Sequence, residues 1–152
     1  MPRLLIVHHT PSPSTQALFE AVVAGATHPD IEGVEVVRRA ALAATTTDVL
    51  EADGYLLGTP ANLGSMSGAL KHFFDTVYYP CLDATRGRSF GYWIHGNSDT
   101  SGTERQLLAI TTGLSWAKAA APVISTGDPD QATLAACTEL GATLAASLMP
   151  GN

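Results

Sequence analysis

Residues 10–15, Thr-Pro-Ser-Pro-Ser-Thr, place four hydroxyl side chains within six positions, directly after an apolar run. Hydroxyl groups and free backbone N–H groups at the start of a helix present hydrogen-bond donors to an anion, and the helix dipole favours the negative charge. The segment therefore predicts a phosphate-binding loop. The alternative is that Ser12 simply caps a helix whose first residue is Pro13.

Two further segments are rich in glycine and small polar residues. Residues 59–65 (Thr-Pro-Ala-Asn-Leu-Gly-Ser) and 96–102 (Gly-Asn-Ser-Asp-Thr-Ser-Gly) each follow an apolar run and contain no Phe, Tyr or Trp. A planar ligand with a phosphate tail needs one anion cradle and two close backbone walls. The three segments together are therefore more specific than any one of them.

The elements that must position these segments alternate along the chain. Five apolar runs are continuous rather than alternating, as is typical of strands covered on both faces: Leu4–His9, Val34–Arg38, Gly54–Gly58, Phe90–His95 and Pro122–Ser125. Segments of helical period lie between and after them: Leu18–Gly25, Met66–Tyr78, Thr103–Trp116 and Leu134–Leu148, with only a short or irregular helix over Ala43–Leu50.

This order predicts an α/β fold of three layers, with a five-stranded parallel sheet of order 2-1-3-4-5. In such sheets ligands bind beyond the carboxyl ends of the strands, at the point where the strand order reverses. The three polar segments follow strands one, three and four. We therefore expect them to meet at one edge of the sheet.

Composition narrows the possible functions. The 152 residues, 45% of them apolar, fit one domain over 1–152. A net charge of −6 without a basic run argues against nucleic-acid binding.

The first apolar run is too short for a signal peptide or a membrane span, so we expect a cytoplasmic protein that does not bind membranes. Cys81 and Cys137 lack paired spacing, which predicts buried thiols, and no spacing suggests a metal site.

Common nucleotide-binding signatures are missing from the sequence. It contains no GxxxxGK[ST] segment, and no GxGxxG follows the first strand. A phosphorylated receiver domain of this topology needs an aspartate at the end of strand three, where Gly58 and Thr59 stand. These observations weigh against ATP binding, classical dinucleotide binding and a receiver domain.

The sequence resembles the flavodoxin-like FMN proteins, and among them the small NAD(P)H-dependent FMN and quinone reductases. The resemblance rests on residues 10–15, on Gly58-Thr59-Pro60 with Gly64-x-Met66-Ser67-Gly68, on the Leu70-Lys71 and Phe74-Asp75 pairs that follow, and on residues 96–102. It covers nearly the whole chain. Proline at position 13 departs from the glycine of the family pattern and removes one N–H donor. Ser65 stands where an asparagine is common.

The resemblance implies which residues contact FMN. The phosphate would be held by Thr10, Ser12, Pro13, Ser14 and Thr15. The ribityl chain and the ring would be lined by Thr59, Pro60, Ala61, Asn62, Leu63, Gly64 and Ser65. The other side would be closed by His95, Gly96, Asn97, Asp99 and Thr100. His8 is expected to pack within the sheet, whereas His9 and His95 lie at strand ends that face the site.

The activity implied is transfer of a hydride from NAD(P)H through bound FMN to a quinone, a flavin or a similar small acceptor. The flavin carries out this chemistry, so no catalytic side chain is required, and His95 is the one candidate. The alternative is a flavodoxin-type electron carrier. Carriers usually cover the ring with aromatic residues, which residues 59–65 and 96–102 lack, so the reductase is favoured. An uncovered ring also suggests a homodimer or homotetramer, with Tyr78 and Tyr79 as candidate interface residues.

Overall fold

The structure is a computed structural model that describes residues 1–151, with seven strands and five helices in that range. The strands are β1 (Arg3–His8), β2 (Glu35–Ala40), β3 (Gly54–Asn62), β4 (Ser65–Met66), β5 (Ser89–Gly96), β6 (Ala117–Lys118) and β7 (Val123–Thr126). The helices are α1 (Pro13–Ala26), α2 (Thr46–Glu51), α3 (Gly68–Cys81), α4 (Ser101–Gly113) and α5 (Gln131–Ser147).

The main sheet is parallel, and its strands run in the order β2-β1-β3-β5. The fifth position is shared by two short strands, because β6 pairs with the start of β5 and β7 pairs with its end. The predicted order 2-1-3-4-5 is confirmed for the five main positions. The predicted fifth strand, Pro122–Ser125, corresponds to β7, and residues 119–122 separate β7 from β6, which was not predicted.

Hydrophobic residues are buried on both faces of the sheet, which accounts for the continuous apolar runs. Helices α1 and α5 pack against one face. Their backbones approach so closely that a Cβ atom on Gly25 would lie 1.8 Å from the carbonyl oxygen of Thr138, and one on Gly141 would lie 2.0 Å from that of Val22. The two helices can therefore cross at this distance only with glycine at both positions.

The opposite face is covered by α2, α3 and α4, and Trp116 lies in its core. The indole ring of Trp116 stacks on Tyr55 at a centroid distance of 4.0 Å, and its Nε1 donates to Thr85 Oγ1 at 2.8 Å. The predicted helix Thr103–Trp116 is wrong at its carboxyl end, because α4 ends at Gly113. Ser115 adopts a φ of 59° there and turns the chain toward β6.

The third strand is longer than predicted. The sequence pattern predicts a strand over Gly54–Gly58 and a helix that begins at Met66. In the structure β3 continues to Asn62 and folds back through Leu63 and Gly64 into β4, with Asn62 opposite Ser65. Helix α3 then begins at Gly68, and Ser67 caps it by accepting a hydrogen bond from the Leu70 amide.

The expected packing of the thiols is confirmed. Cys81 and Cys137 are both free and buried, and burial raises the pKa of the Cys137 thiol to about 12. In residues 1–151, no helix is long and apolar enough to cross a membrane, and no cluster of three potential metal ligands is present.

Candidate functional site

A cleft of about 270 Å³ lies at the carboxyl ends of β1, β3 and β5. Three groups of residues line it: Pro11, Ser12 and Ser14 after β1; Pro60, Ala61 and Asn62 at the end of β3; and His95, Gly96 and Asn97 at the end of β5. The three polar segments singled out in the sequence thus converge. Strand register explains why, because Pro60 lies opposite His95 in the parallel pairing of β3 with β5.

The first segment caps α1 with four hydrogen bonds between two residues. The Ser12 side chain accepts from the Thr15 amide at 3.2 Å, and the Ser12 amide donates to Thr15 Oγ1 at 3.0 Å. Thr15 Oγ1 also lies 2.9 Å from Ser12 Oγ and donates to the Ser12 carbonyl at 3.0 Å. Thr15 is buried, so its hydroxyl stabilises the start of the helix and does not face the cleft.

Two residues of this segment, Ser14 and Thr10, keep a side-chain hydroxyl that can bind an anion. Pro13 is the first residue of α1 and has no N–H to offer. Ser14 lines the cleft, and its hydroxyl makes no hydrogen bond to any residue of the described range. Ser14 is also in the first turn of the helix, where backbone N–H groups lack partners within the helix. The Thr10 hydroxyl lies 3.3 Å from His8 Nδ1, a long contact that leaves it able to bind elsewhere.

The second segment begins with Thr59, a buried residue that is 2% exposed and holds the segment in place. Its hydroxyl donates to the Pro60 carbonyl at 2.8 Å and accepts from the Ser67 amide at 3.0 Å. Thr59 therefore joins β3 to the start of α3 and does not line the cleft, whereas Pro60, Ala61 and Asn62 do. Their backbone forms the wall that the resemblance assigned to the ring.

The β3–β4 hairpin turns through two residues in the left-handed region, with φ values of 51° at Leu63 and 79° at Gly64. Positive φ at both central residues is the pattern of a two-residue type I′ hairpin. Glycine suits this conformation, but a leucine is strained there. The Leu63 side chain is fully exposed at the tip and does not line the cleft.

The other strand of the hairpin is held by α4. Gln106 accepts from the Met66 amide at 3.0 Å, and its Nε2 donates to Ser65 Oγ at 3.1 Å. Ser65 thus bonds to the helix and does not line the cleft. Nothing in the sequence indicated this role of Gln106, because an isolated glutamine on a helix surface is not part of any recognisable motif.

The third segment presents His95, Gly96 and Asn97 to the cleft. His95 Nε2 lies 2.7 Å from the Gly127 carbonyl oxygen. A carbonyl can only accept, so Nε2 carries the proton and Nδ1 is the nitrogen left for other partners. A Cβ atom on Gly96 would lie 2.8 Å from Thr100 Cγ2 and 3.2 Å from Ala61 Cβ, so glycine lets the second and third segments approach.

Asp99 and Thr100 lie beyond the cleft. Asp99 Oδ1 accepts from the Ser101 amide at 2.9 Å, and this bond lowers the pKa of the Asp99 carboxyl. Thr100 occupies the position before α4, where its methyl group packs near Gly96. Asp99 therefore holds the turn that leads into α4.

The two histidines at the end of β1 differ in environment. His8 stacks on Phe19 at a centroid distance of 3.8 Å, as expected for a packed histidine. Burial, with a smaller contribution from the Arg38 charge, lowers the pKa of His8 to about 4, so the imidazole is neutral near pH 7. His9 Nδ1 is buried and has no hydrogen-bond partner in residues 1–151.

These residues fit a flavin mononucleotide. The cleft joins a serine hydroxyl without a partner in residues 1–151, at a helix N-terminus, to two walls of small residues and backbone, whereas His9 is not among the residues that line it. A phosphate requires such donors, and a flat ring requires such walls. The fold and this cleft define a flavodoxin-like α/β domain.

The chain belongs to the family described as NADPH-dependent FMN reductase, whose family model matches residues 15–130. The match begins one residue after Ser14, so most of the first segment lies outside it. A protein named flavodoxin from Aquifex aeolicus (strain VF5) is 39% identical over 103 residues, which cover 64% of this chain and 55% of that relative. The chain therefore spans little more than half the length of this relative.

Solved structures share the fold. A WrbA-like flavodoxin from Agrobacterium tumefaciens superimposes with a TM-score of 0.78 at 18% identity, over 97% of this chain and 98% of that one. An archaeal flavodoxin gives a TM-score of 0.80 at 17% identity, over 96% and 98%. An oxidoreductase from Corynebacterium diphtheriae gives 0.72 at 21% identity, over 100% and 98%.

The strain at Leu63 leads to a prediction about stability. Leu63→Gly is expected to raise the free energy of unfolding by up to about 1 kcal/mol, because glycine adopts positive φ without a steric penalty and no buried surface is lost. Urea denaturation of the two proteins measures the difference.

Leu42→Gly is the matched control, since Leu42 is also exposed but does not have a positive φ. This substitution should lower the stability, because it only adds freedom to the unfolded chain. Equal effects of the two substitutions would contradict the assignment of strain to Leu63.

Proposed function

We propose that this chain binds FMN in the cleft and transfers a hydride from NAD(P)H through the flavin to a quinone, a flavin or a similar small acceptor. The observation that carries the proposal is the convergence of the three polar segments on one cleft, at the edge of the sheet where ligands of this fold class bind. Membership in a family described as NADPH-dependent FMN reductase supports the cofactor and the donor.

The phosphate would be bound at the start of α1. Ser14 supplies a hydroxyl, and the first-turn amides and the helix dipole supply further attraction. Thr10 and Ser12 contribute hydroxyl groups whose present contacts are with His8 and Thr15. Because Pro13 lacks an N–H group, this loop has one donor fewer than the glycine of the family pattern would provide.

The ring would lie between Pro60–Asn62 and His95–Asn97. Neither wall contains Phe, Tyr or Trp, and the ten side chains of these three types lie in other parts of the structure. An aromatic cover would occupy the ring face that a nicotinamide must reach. Its absence favours an enzyme that admits a second planar ligand.

Bound FMN supplies the redox chemistry, since it can accept a hydride and pass the two electrons on. The chain contributes binding, orientation and exclusion of water. The bond from Nε2 to the Gly127 carbonyl holds the His95 ring in place, and Nδ1 is left to accept a hydrogen bond. His95 remains the candidate residue for contact with the reacting ligands.

A second candidate function is that of a flavodoxin-type electron carrier without nicotinamide activity of its own. The similarity to an Aquifex aeolicus protein named flavodoxin favours this alternative. The two functions share the FMN site and differ in whether a nicotinamide reaches it.

We also propose that the protein assembles through α3 and α4, as a homodimer or homotetramer. Tyr79 is 80% exposed and packs edge to face on Tyr78, beside a pocket of about 200 Å³ that Phe74 and Ile110 also line. The same surface carries the Lys71–Asp75 ion pair. In a two-fold assembly the second copy would present its own Lys71 and Asp75 to this surface, so opposite charges could pair across the interface. The contact would also bury Tyr79, which is otherwise exposed to water.

The first test of the function compares the affinity of the protein for FMN with its affinity for riboflavin. Both are measured by the quenching of flavin fluorescence. FMN should bind more tightly, because the donors of the first segment serve only the phosphate. Ser14→Ala should lower the affinity for FMN by about tenfold or more, since a hydrogen bond to a charged group contributes about 1.5–3 kcal/mol. The affinity for riboflavin should be unchanged.

Ser147→Ala provides the matched control, because Ser147 lies near the end of α5 and bonds only to the Leu144 carbonyl. It should leave both affinities unchanged. Equal affinity of the wild-type protein for FMN and riboflavin would contradict the phosphate assignment.

The second test separates the enzyme from the carrier. NADH or NADPH should bleach bound FMN in anaerobic stopped-flow measurements, and the reduced protein should turn over a soluble quinone with ping-pong kinetics. Asn62→Trp should place an aromatic group on the wall of the cleft, which lowers turnover while FMN binding is kept or strengthened. Bound FMN that neither nicotinamide reduces, but that a separate reductase does reduce, would establish the carrier.

The assembly is tested by light scattering of the wild-type protein and of Tyr79→Glu. The wild-type protein should be a dimer or a tetramer, and the variant should dissociate because it places a charge in an aromatic contact. Leu42→Glu is the control at another exposed apolar residue and should not change the mass. A monomeric wild-type protein at working concentration would overturn the proposal.

A further inference from the structure

The hairpin that forms one wall of the cleft has little support from its own residues. Strand β4 is two residues long, and it pairs with β3 only through Ala61 opposite Met66 and Asn62 opposite Ser65. An isolated hairpin of this size is marginal in water. Its position must therefore be set by contacts outside it.

Those contacts come from the first two turns of α4. The Gln106 side chain bonds to both residues of β4, by accepting from the Met66 amide and donating to Ser65 Oγ. Gly102 lies one turn earlier, and a Cβ atom there would be 2.3 Å from the Gly64 carbonyl oxygen. The helix thus reaches the hairpin at its tip and along its second strand.

The residues that Gln106 holds are the partners of the residues that line the cleft. Met66 and Ser65 pair with Ala61 and Asn62, which face the cleft next to Pro60. If the bonds from Gln106 are lost, β4 is released and the wall formed by Ala61 and Asn62 can shift. Gln106 itself is exposed and does not line the cleft.

We propose that Gln106 is a positioning residue of the flavin site, which fixes the β3–β4 hairpin at the distance the ring requires. This inference rests on the proposed function, because it concerns the wall assigned to the ring. It separates Gln106 from Ser14, since the two residues would act on different parts of the same ligand.

The test compares the affinities for FMN and riboflavin in Gln106→Ala. Both affinities should fall by the same factor, about three- to tenfold, because one part-buried and one exposed hydrogen bond are lost and the wall that contacts the ring is common to both ligands. Ser14→Ala should instead lower the affinity for FMN and leave the affinity for riboflavin unchanged. Thr112→Ala, at an exposed position further along α4, is the control and should change neither affinity.

Three further measurements distinguish positioning from a general effect on stability. Gln106→Glu should restore binding to within about twofold, since a carboxylate accepts from both the Met66 amide and the Ser65 hydroxyl. The double variant Ser65→Ala/Gln106→Ala should lose less than the sum of the two single variants. In the protein without flavin, hydrogen exchange of the Met66 amide should be faster in Gln106→Ala, while the urea midpoint of unfolding stays near that of the wild type.

Equal flavin affinity of the wild type and Gln106→Ala would overturn the inference, and so would a loss confined to FMN. A fall in the urea midpoint that accounts for the whole loss of binding would also overturn it. A wild-type protein that binds neither FMN nor riboflavin would be a different failure, because it would contradict the proposed function itself.

Discussion

The parallel pairing of β3 with β5 continues as far as Pro60 and His95, close to the ends of the two strands, and the candidate site depends on it. Pro60 is placed opposite His95, so the segments that follow the two strands start side by side. Gly96 then allows Ala61 to approach, because any side chain at position 96 would collide with Thr100. The cleft is the space left between this pair of strand ends and the start of α1.

Residues 10–15 must both cap helix α1 and offer hydrogen-bond donors to an anion. A helix that begins with proline needs a strong cap, and Ser12 and Thr15 provide one through four mutual hydrogen bonds. Each of these bonds occupies a group that would otherwise be free for an anion. Ser14 is the position that can serve the ligand without loss to the cap, since its side chain faces the cleft. The structure thus divides the hydroxyl groups of one short segment between folding and binding.

Much of the fold could be predicted from the sequence, because burial on both faces leaves continuous apolar runs in β1, β3 and β5. The convergence of the polar segments followed from the rule that parallel strands end at one edge. The extension of β3 to Asn62 could not be predicted, since Leu63-Gly64 is not a typical hairpin turn and leucine disfavours positive φ. The end of α4 was missed for a similar reason, as Ser115 adopts a positive φ that no local preference indicates.

The contacts of Gln106 could not be predicted either, because they join residues 40 and 41 positions apart through an exposed side chain. They show how the fold connects parts of the site that the sequence presents as independent segments. Helix α4 begins within the third segment, at Ser101, and brings Gly102 and Gln106 to the second one. Its first turns therefore fix both walls relative to each other. A site built in this way can keep its walls free of large side chains, because the separation of the walls is set by the helix behind them and not by residues that fill the cleft.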